Sequence, residues 1–249
     1  MKRLRKELEA AFVSFSPEVD KQLASSKMQA NAQEDLFKKS YIRLCSMQAW
    51  RSELLDSAVD TEALAFFIEA QNDGVVSHVQ ARQGCWRPAL QALRSMIENS
   101  YQMLYYKDHP IELMLWHQSK HRLNRKELES YLLEQPEFAK GSILKTAMQL
   151  LAKQYSCLNQ AVHASAKSFR MTRDTTNLHI SRYTPADASK WATNERDVVA
   201  GINLLFLAAF NESLRGTKLP NLRKTISLQF PQKTRDKVKA ELGVVLQKP

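Results

Sequence analysis

Residues 144–169, LKTAMQLLAKQYSCLNQAVHASAKSF, contain the longest regular apolar pattern of the chain. Steps of three and four run through this segment, which is the spacing of a helix with one face in a core: Leu144, Met148, Leu151, Tyr155, Leu158, Val162, Ser165 and Phe169. The segment LQALRSMIENSYQMLYY, residues 90–106, repeats this spacing. The two segments predict long amphipathic helices.

The rest of the chain predicts an all-α multi-helix bundle, because only six glycines and eight prolines punctuate 249 residues. We expect a helical extension over residues 1–30, a bundle domain over 31–216 and a basic C-terminal segment over 217–249. Pro17 should end the first helix, Asp60 or Thr61 should cap another, and Gly74 should interrupt it. Residues 171–194 read as a polar connection before a central helix over about 195–215. A short strand, Thr225–Phe230, and a basic helix, Thr234–Leu246, should follow.

The charge balance favours acidic partners. The chain has 36 Lys and Arg against 26 Asp and Glu, a formal charge of +10, which attracts nucleic acid, acidic proteins or anionic membrane surfaces. A solvated basic surface is the alternative interpretation. The candidate phosphate-binding residues are Lys120, Arg122, Arg125, Lys126, Lys167 and Arg170, and Trp116, His117 and His121 could stack on bases.

Several classes of site are excluded by missing motifs. The sequence has no P-loop, no dinucleotide-binding glycine motif, no H-E-x-x-H and no nucleophile elbow. Its three cysteines are far apart and odd in number, which argues against a zinc site or a disulfide framework and for a reducing cytoplasm. No signal peptide or apolar run of about 18 residues is present. We therefore expect a cytoplasmic protein with no cofactor, no metal and no membrane span.

Three groups of residues are candidates for chemistry. Arg94 and Glu98 lie one helical turn apart and can form a charge-assisted pair, which either links helices or holds a phosphate. His163 lies beside the apolar face of the long helix, either as a structural residue or as an acid–base group. Arg173 and His179 enclose a short polar run that resembles the R-x(4–6)-H signature of the HEPN superfamily of helical proteins.

A broader resemblance joins the first two groups. Residues 90–106 and the run YSCLNQAVHAS, residues 155–165, are similar to a DUF5677-type family of bacterial helical proteins that is sometimes grouped with HEPN-like folds. Its R-x-x-x-E helix matches Arg94 and Glu98. Its Y-x-x-L-S-x-x-V-H-x-S helix matches Tyr155, Leu158, His163 and Ser165, whereas Asn159 stands in place of a serine. The resemblance implies a HEPN-like fold with Arg94, Glu98 and His163 facing one another.

Many HEPN proteins are metal-independent ribonucleases, so the resemblance implies a nucleic-acid-engaging protein, with endoribonuclease activity of a bacterial toxin or anti-phage system. His163 or His179 would move the proton, and Arg94 or Arg173 would stabilise the phosphate charge. The alternative is a non-catalytic adaptor or assembly subunit of a nucleoprotein or defence complex. A protein partner or a homo-oligomer fits either hypothesis.

Overall fold

The computed structural model describes residues 2–136, 138–139, 141–163, 171, 180–215 and 218–247. Within them the chain is helical with no β-strand, which confirms the all-α class. The helices are α1 (Lys2–Asn31), α2 (Glu34–Trp50), α3 (Asp56–Ala58), α4 (Thr61–Arg82), α5 (Trp86–Tyr106), α6 (Pro110–His117), α7 (Arg125–Glu134), α8 (Ser142–Val162), α9 (Pro185–Ala209), α10 (Asn211–Leu214), α11 (Pro220–Ser227) and α12 (Gln232–Leu242). A π-helical turn, Arg51–Leu55, joins α2 to α3.

Several helix starts follow from capping residues. The Asp60 carboxylate accepts a hydrogen bond from the Glu62 amide at 2.9 Å, so the predicted cap of α4 is confirmed. Asn124 and Glu127 form a reciprocal capping box at the start of α7. Thr184 caps α9, and Pro185 occupies its first turn.

Three predicted helix boundaries were wrong. α1 continues through Pro17, because its first half is exposed and water can solvate the carbonyl that loses its amide partner. α4 continues through Gly74, where a Cβ would come within 2.8 Å of Leu44 Cδ2, so this glycine allows α2 to approach. α9 begins at Pro185, inside the stretch predicted as a connection, because Thr184 and Pro185 provide a start signal.

The predicted strand Thr225–Phe230 is also wrong. α11 covers its first three residues because Pro220 starts a helix whose Leu222 and Ile226, four residues apart, are both fully buried. A basic terminal helix is present as α12, which buries Val238 and Leu242, but it ends at Leu242 and not at the predicted Leu246, because Gly243 takes a left-handed conformation that ends the helix. The C-terminal segment thus contributes side chains to the same core as the bundle.

α9 is the central helix of the bundle. Its residues Val198, Ile202 and Phe206 have no exposed surface, in agreement with the predicted central position. α8 packs along it at Gly201, where a Cβ would lie only 2.7 Å from Leu151 Cγ and Cδ2. α5 packs against α4, α8 and α9, and α7 contacts both α5 and α8, so α5, α7 and α8 adjoin one another.

A buried polar network ties the C-terminal segment to the bundle. Asn203 of α9 accepts a hydrogen bond from Trp50 Nε1 at 2.7 Å and donates to Ser46 Oγ at 2.9 Å and Gln229 Oε1 at 3.1 Å. Gln229 donates in turn to the Arg43 carbonyl at 3.2 Å. Because buried polar groups are costly when unpaired, this network fixes α2, α9 and the C-terminal segment in one arrangement.

Gly201→Ala should lower the free energy of unfolding by up to about 2 kcal/mol, because overpacking costs about 1–3 kcal/mol and alanine regains about 1 kcal/mol of helix propensity. Urea denaturation measures the change. In a Leu151→Ala background the same substitution should be neutral or stabilising, because the clashing atoms are gone. An equal cost in both backgrounds would contradict the close contact between α8 and α9.

Candidate active site

Arg94 and Glu98 form an ion pair on the surface of α5. Arg94 Nη2 lies 2.8 Å from Glu98 Oε1, and the two side chains are 26% and 33% exposed. Leu93 and Ile97, the residues just before them, are fully buried, so the core sets the rotation of α5 and directs the pair towards α8. The pair is open to solvent, and its charges are partly desolvated.

Tyr155 of α8 completes this group of side chains. Its hydroxyl donates to Glu98 Oε1 at 2.6 Å and accepts from Arg94 Nη2 at 2.8 Å. Leu151 and Leu158, on either side of Tyr155 along the buried face of α8, are fully buried and hold the ring against α5. We call Arg94, Glu98 and Tyr155 the Arg–Glu–Tyr cluster.

A second arginine covers the Tyr155 ring. The guanidinium carbons of Arg94 and Arg125 lie 5.0 Å and 4.6 Å from the ring centroid, within the range of cation–π contacts. Arg125, at the start of α7, also forms an ion pair with Glu129. α5, α7 and α8 therefore meet at one phenol, with two cations and two carboxylates around it.

The phenols of this region remain protonated at neutral pH. Burial is the main reason that the pKa of Tyr155 is raised, and its hydrogen bond to Glu98 adds to this effect while Arg94 opposes it. Tyr101, one turn beyond Glu98, is fully buried, and its hydroxyl has no hydrogen-bond partner in the described part of the chain. Burial also raises the pKa of Tyr101, with Glu129 adding to the shift.

Asp73 of α4 is a titratable neighbour that the sequence did not reveal. Burial raises its pKa from 3.8 to about 6, Asn99 opposes this, and the charges of Glu69 and Glu98 raise it further. Asn99 Nδ2 donates to its carboxylate at 2.8 Å. Asp73 sits inside a helical pattern with no motif around it, so only the packing of α4 on α5 identifies it.

His163 is placed at the exposed C-terminal end of α8. It is eight residues from Tyr155, about 12 Å along a helix, and no hydrogen bond or ion pair between described residues joins it to Arg94 or Glu98. The resemblance implied that His163 faces Arg94 and Glu98. In the structure Tyr155 occupies that position. Ser165, Lys167, Arg170, Arg173 and His179 lie outside the described residues, and their roles stay predictions.

The predicted basic run divides into two groups. Lys120, Arg122 and Lys126 are exposed, whereas Arg125 is half-buried against Tyr155. Trp116 is also half-buried: its ring centroid lies 5.0 Å from that of Phe66, so protein side chains already pack against it. The run offers exposed cations but fewer free ring faces than the sequence predicted.

A cleft of about 490 Å³ lies between α7 and α8, next to the Arg–Glu–Tyr cluster. Glu129, which pairs with Arg125, forms part of its wall, together with Leu133, Met148 and Gln149, and Lys145 adds a positive charge. Its volume is within the range of small-ligand sites. The cleft therefore offers an apolar surface beside a charged cluster.

A second titratable group lies between α2, α4 and α9. Arg43 Nε donates to the buried Glu195 carboxylate at 2.6 Å, and burial raises the pKa of Glu195 to about 7 against the opposing effect of Arg43. Ser40 Oγ lies 3.0 Å from His78 Nδ1, and burial, Arg82 and Arg43 lower the pKa of His78 to about 4. This group joins three helices through buried polar contacts that the sequence did not predict.

The fold and the cluster together define an all-α protein with a polar site where α5, α7 and α8 meet. No protein-family model, curated protein sequence or solved structure matches this chain. None of the described helices has the length and apolarity needed to cross a bilayer. The described residues also contain no group of three or more His, Cys, Asp or Glu side chains that could hold a metal ion.

The raised pKa of Asp73 predicts a pH-dependent effect of Asp73→Asn. Unfolded aspartate releases its proton near pH 3.8 and folded Asp73 near 6, so the folded state binds more protons between these values and its stability falls as pH rises. Asp73→Asn removes this loss. The free energy of unfolding of the variant minus that of the parent, measured in urea, should therefore be more positive at pH 7.5 than at pH 4. Asp20→Asn, on the exposed part of α1, controls for the chemical change, and an Asp73→Asn effect that is equal at both pH values would contradict the shift.

Proposed function

We propose that the chain binds RNA and cleaves it at the Arg–Glu–Tyr cluster without using a metal ion. The observation that carries this proposal is the mutual hydrogen bonding of Glu98, Tyr155 and Arg94, which puts a proton acceptor, a proton donor and a phosphate-binding cation within 3 Å of one another. Transesterification of RNA needs these three functions. The biological context that we propose is a bacterial toxin or anti-phage system.

In the proposed reaction the RNA 2′-hydroxyl attacks the adjacent phosphorus. Glu98 takes the hydroxyl proton as the new oxygen–phosphorus bond forms, and Arg94 stabilises the charge on the phosphoryl oxygens. The bond from phosphorus to the 5′-oxygen breaks, and Tyr155 gives its proton to that leaving oxygen. Glu98 then returns its proton to Tyr155 through their hydrogen bond. The products are a 2′,3′-cyclic phosphate and a 5′-hydroxyl end.

The surroundings of the cluster support an extended, single-stranded substrate. The cleft between α7 and α8 is large enough for a base, and Lys145 on its wall can pair with a neighbouring phosphate. Lys120, Arg122 and Lys126 are exposed and can contact further phosphates of the strand. Arg125 contacts Tyr155 and lies within this basic run, directly before Lys126, so it connects the binding surface to the cluster.

The second candidate function is that of a non-catalytic adaptor or assembly subunit. The observation that favours it is the row of exposed apolar side chains on α1: Leu4, Leu8, Phe12 and Phe15. Apolar surface of this kind is typical of an interaction site. The two functions differ in one outcome, since an adaptor binds RNA or a partner without cutting it.

Glu98→Gln should reduce cleavage of labelled single-stranded RNA, measured with EDTA present, by about 10²–10⁴-fold, because glutamine cannot accept the hydroxyl proton. The matched control is Glu9→Gln, the same change in the exposed Arg5–Glu9 pair of α1. His163→Ala and His179→Ala test the two histidines in the same assay. A parent chain that binds RNA but does not cut it would reject the enzyme and favour the adaptor.

Tyr155→Phe should abolish most cleavage while leaving RNA binding within about twofold, because phenylalanine keeps the ring between the two guanidinium groups and loses the hydroxyl with its transferable proton. Single-turnover cleavage and filter binding of the same RNA separate the two effects. Full activity of a folded Tyr155→Phe protein would show that Tyr155 only links the helices and would remove it from the reaction.

Lys126→Ala should weaken RNA binding and reduce the slope of log K against log salt by about 0.7, the value for one phosphate contact on a single strand. Lys224→Ala, an exposed lysine of α11 outside the proposed surface, is the matched control and should leave the slope unchanged. Equal effects of the two substitutions would mean that RNA binding follows net charge alone and does not use this surface.

A further inference from the structure

The N-terminal part of α1 extends away from the bundle. All residues from 2 to 18 are exposed, whereas Ser26 and Ala30, near the other end of the same helix, are buried. Ser26 Oγ hydrogen-bonds Ser181 Oγ at 2.5 Å, so the C-terminal end of α1 is attached to the segment before α9. More than four turns of helix therefore have no neighbour among the described residues.

The exposed part continues the apolar face by which α1 attaches. At 100° per residue, Val19, Ser26 and Ala30 point to one side of the helix, and the apolar side chains of the exposed part fall within the same sector. Each of these apolar side chains is more than half exposed: Leu4 59%, Leu8 61%, Phe12 68% and Phe15 54%. The same face of α1 is thus buried at the C-terminal end of the helix and exposed, still apolar, in the part beyond the bundle. This exposed part of the face lacks a partner.

We propose that a second copy of this chain covers this face, with the two α1 helices packed antiparallel. The charges of the helix argue for a second copy in this orientation. Residues 2–10 carry four cations, Lys2, Arg3, Arg5 and Lys6, against Glu7 and Glu9, whereas residues 11–20 carry only Glu18 and Asp20, so the two halves have net charges of opposite sign. An antiparallel pair sets each net-positive half beside the net-negative half of the other copy, whereas a parallel pair would set like beside like.

The spacing of the apolar residues suits this pairing. In the antiparallel pair, Leu4 of one copy lies beside Phe15 of the second copy, and Leu8 lies beside Ala11. Because the pair has twofold symmetry, each of these contacts occurs twice, once at each end of the interface. The ion pairs Arg3–Glu7 and Arg5–Glu9, both at 3.0 Å, lie outside the apolar row and support each helix on its own. The interface is then isologous and closes after two copies.

The test is the mass of the full chain in solution, by light scattering after size exclusion and by sedimentation equilibrium. The parent should have twice the monomer mass of 28.6 kDa. Leu8→Glu and Phe15→Glu should raise the dissociation constant by more than about tenfold, because each buries a charge in the seam. The matched control is Val13→Glu, since Val13 is 72% exposed on the opposite side of α1 and should leave the dimer intact.

A parent that stays monomeric at its highest soluble concentration would overturn the proposal. So would equal effects of Val13→Glu and Leu8→Glu on the mass. A monomer whose binding to anionic phospholipid vesicles is lost in Leu8→Glu and kept in Val13→Glu would assign the face to a membrane surface instead. RNA cleavage plays no part in these measurements, so the dimer and the proposed activity succeed or fail independently.

Orientation is tested by cross-linking. Leu4→Cys protein mixed with Phe15→Cys protein and oxidised should give mainly the mixed dimer, because antiparallel helices bring these two positions together. Val13→Cys protein mixed with Phe15→Cys protein is the control and should give little of it. A preference for the link between two Leu4→Cys chains would mean that the helices are parallel and would overturn the antiparallel arrangement.

Discussion

The close packing of α8 on α9 at Gly201 is the constraint on which the candidate site depends. Leu151 fills the space that a Cβ at Gly201 would need, so α8 lies as near to the central helix as backbone contact allows. Tyr155 follows Leu151 by one turn, and this depth is what lets its hydroxyl reach Glu98 and Arg94. A side chain at position 201 would displace α8 from α9, so the position of Tyr155 depends on a residue that cannot take part in any chemistry.

The Arg–Glu–Tyr cluster combines two roles that oppose each other. Its hydrogen bonds join α5 to α8, and each charged group is paired, which is the condition for placing charges in a partly buried site. A substrate must compete with those same bonds, since Arg94 donates to Tyr155 when no phosphate is bound. The cation–π contact of Arg125 offsets this conflict, because it holds the ring without occupying the hydroxyl.

Sequence periodicity predicted the helical class, the two long helices and the pair Arg94–Glu98, because each of these depends on neighbours along one helix. It could not predict which side chain of α8 meets that pair, since this depends on how far α8 slides along α5. His163 and Tyr155 are both on α8, and only packing places Tyr155 at the contact. Asp73 was missed for the same reason. The error over Thr225–Phe230 has another cause: a short apolar run fits strand or helix until Pro220 and the core decide between them.

Pro17 gives α1 a property that its length alone would not. A proline inside a helix has no amide hydrogen to donate to the carbonyl four residues earlier, here that of Val13, and its ring pushes that turn open. Pro17 lies between the apolar residues of the exposed part and the end that is fixed to the bundle. α1 therefore has one turn that lacks a backbone hydrogen bond, and this turn, where bending costs least, lies between the exposed part and the bundle. In the proposed dimer, bending at this turn would change the distance between the two bundles, and so between their two Arg–Glu–Tyr clusters, while the contact between the two α1 helices is kept.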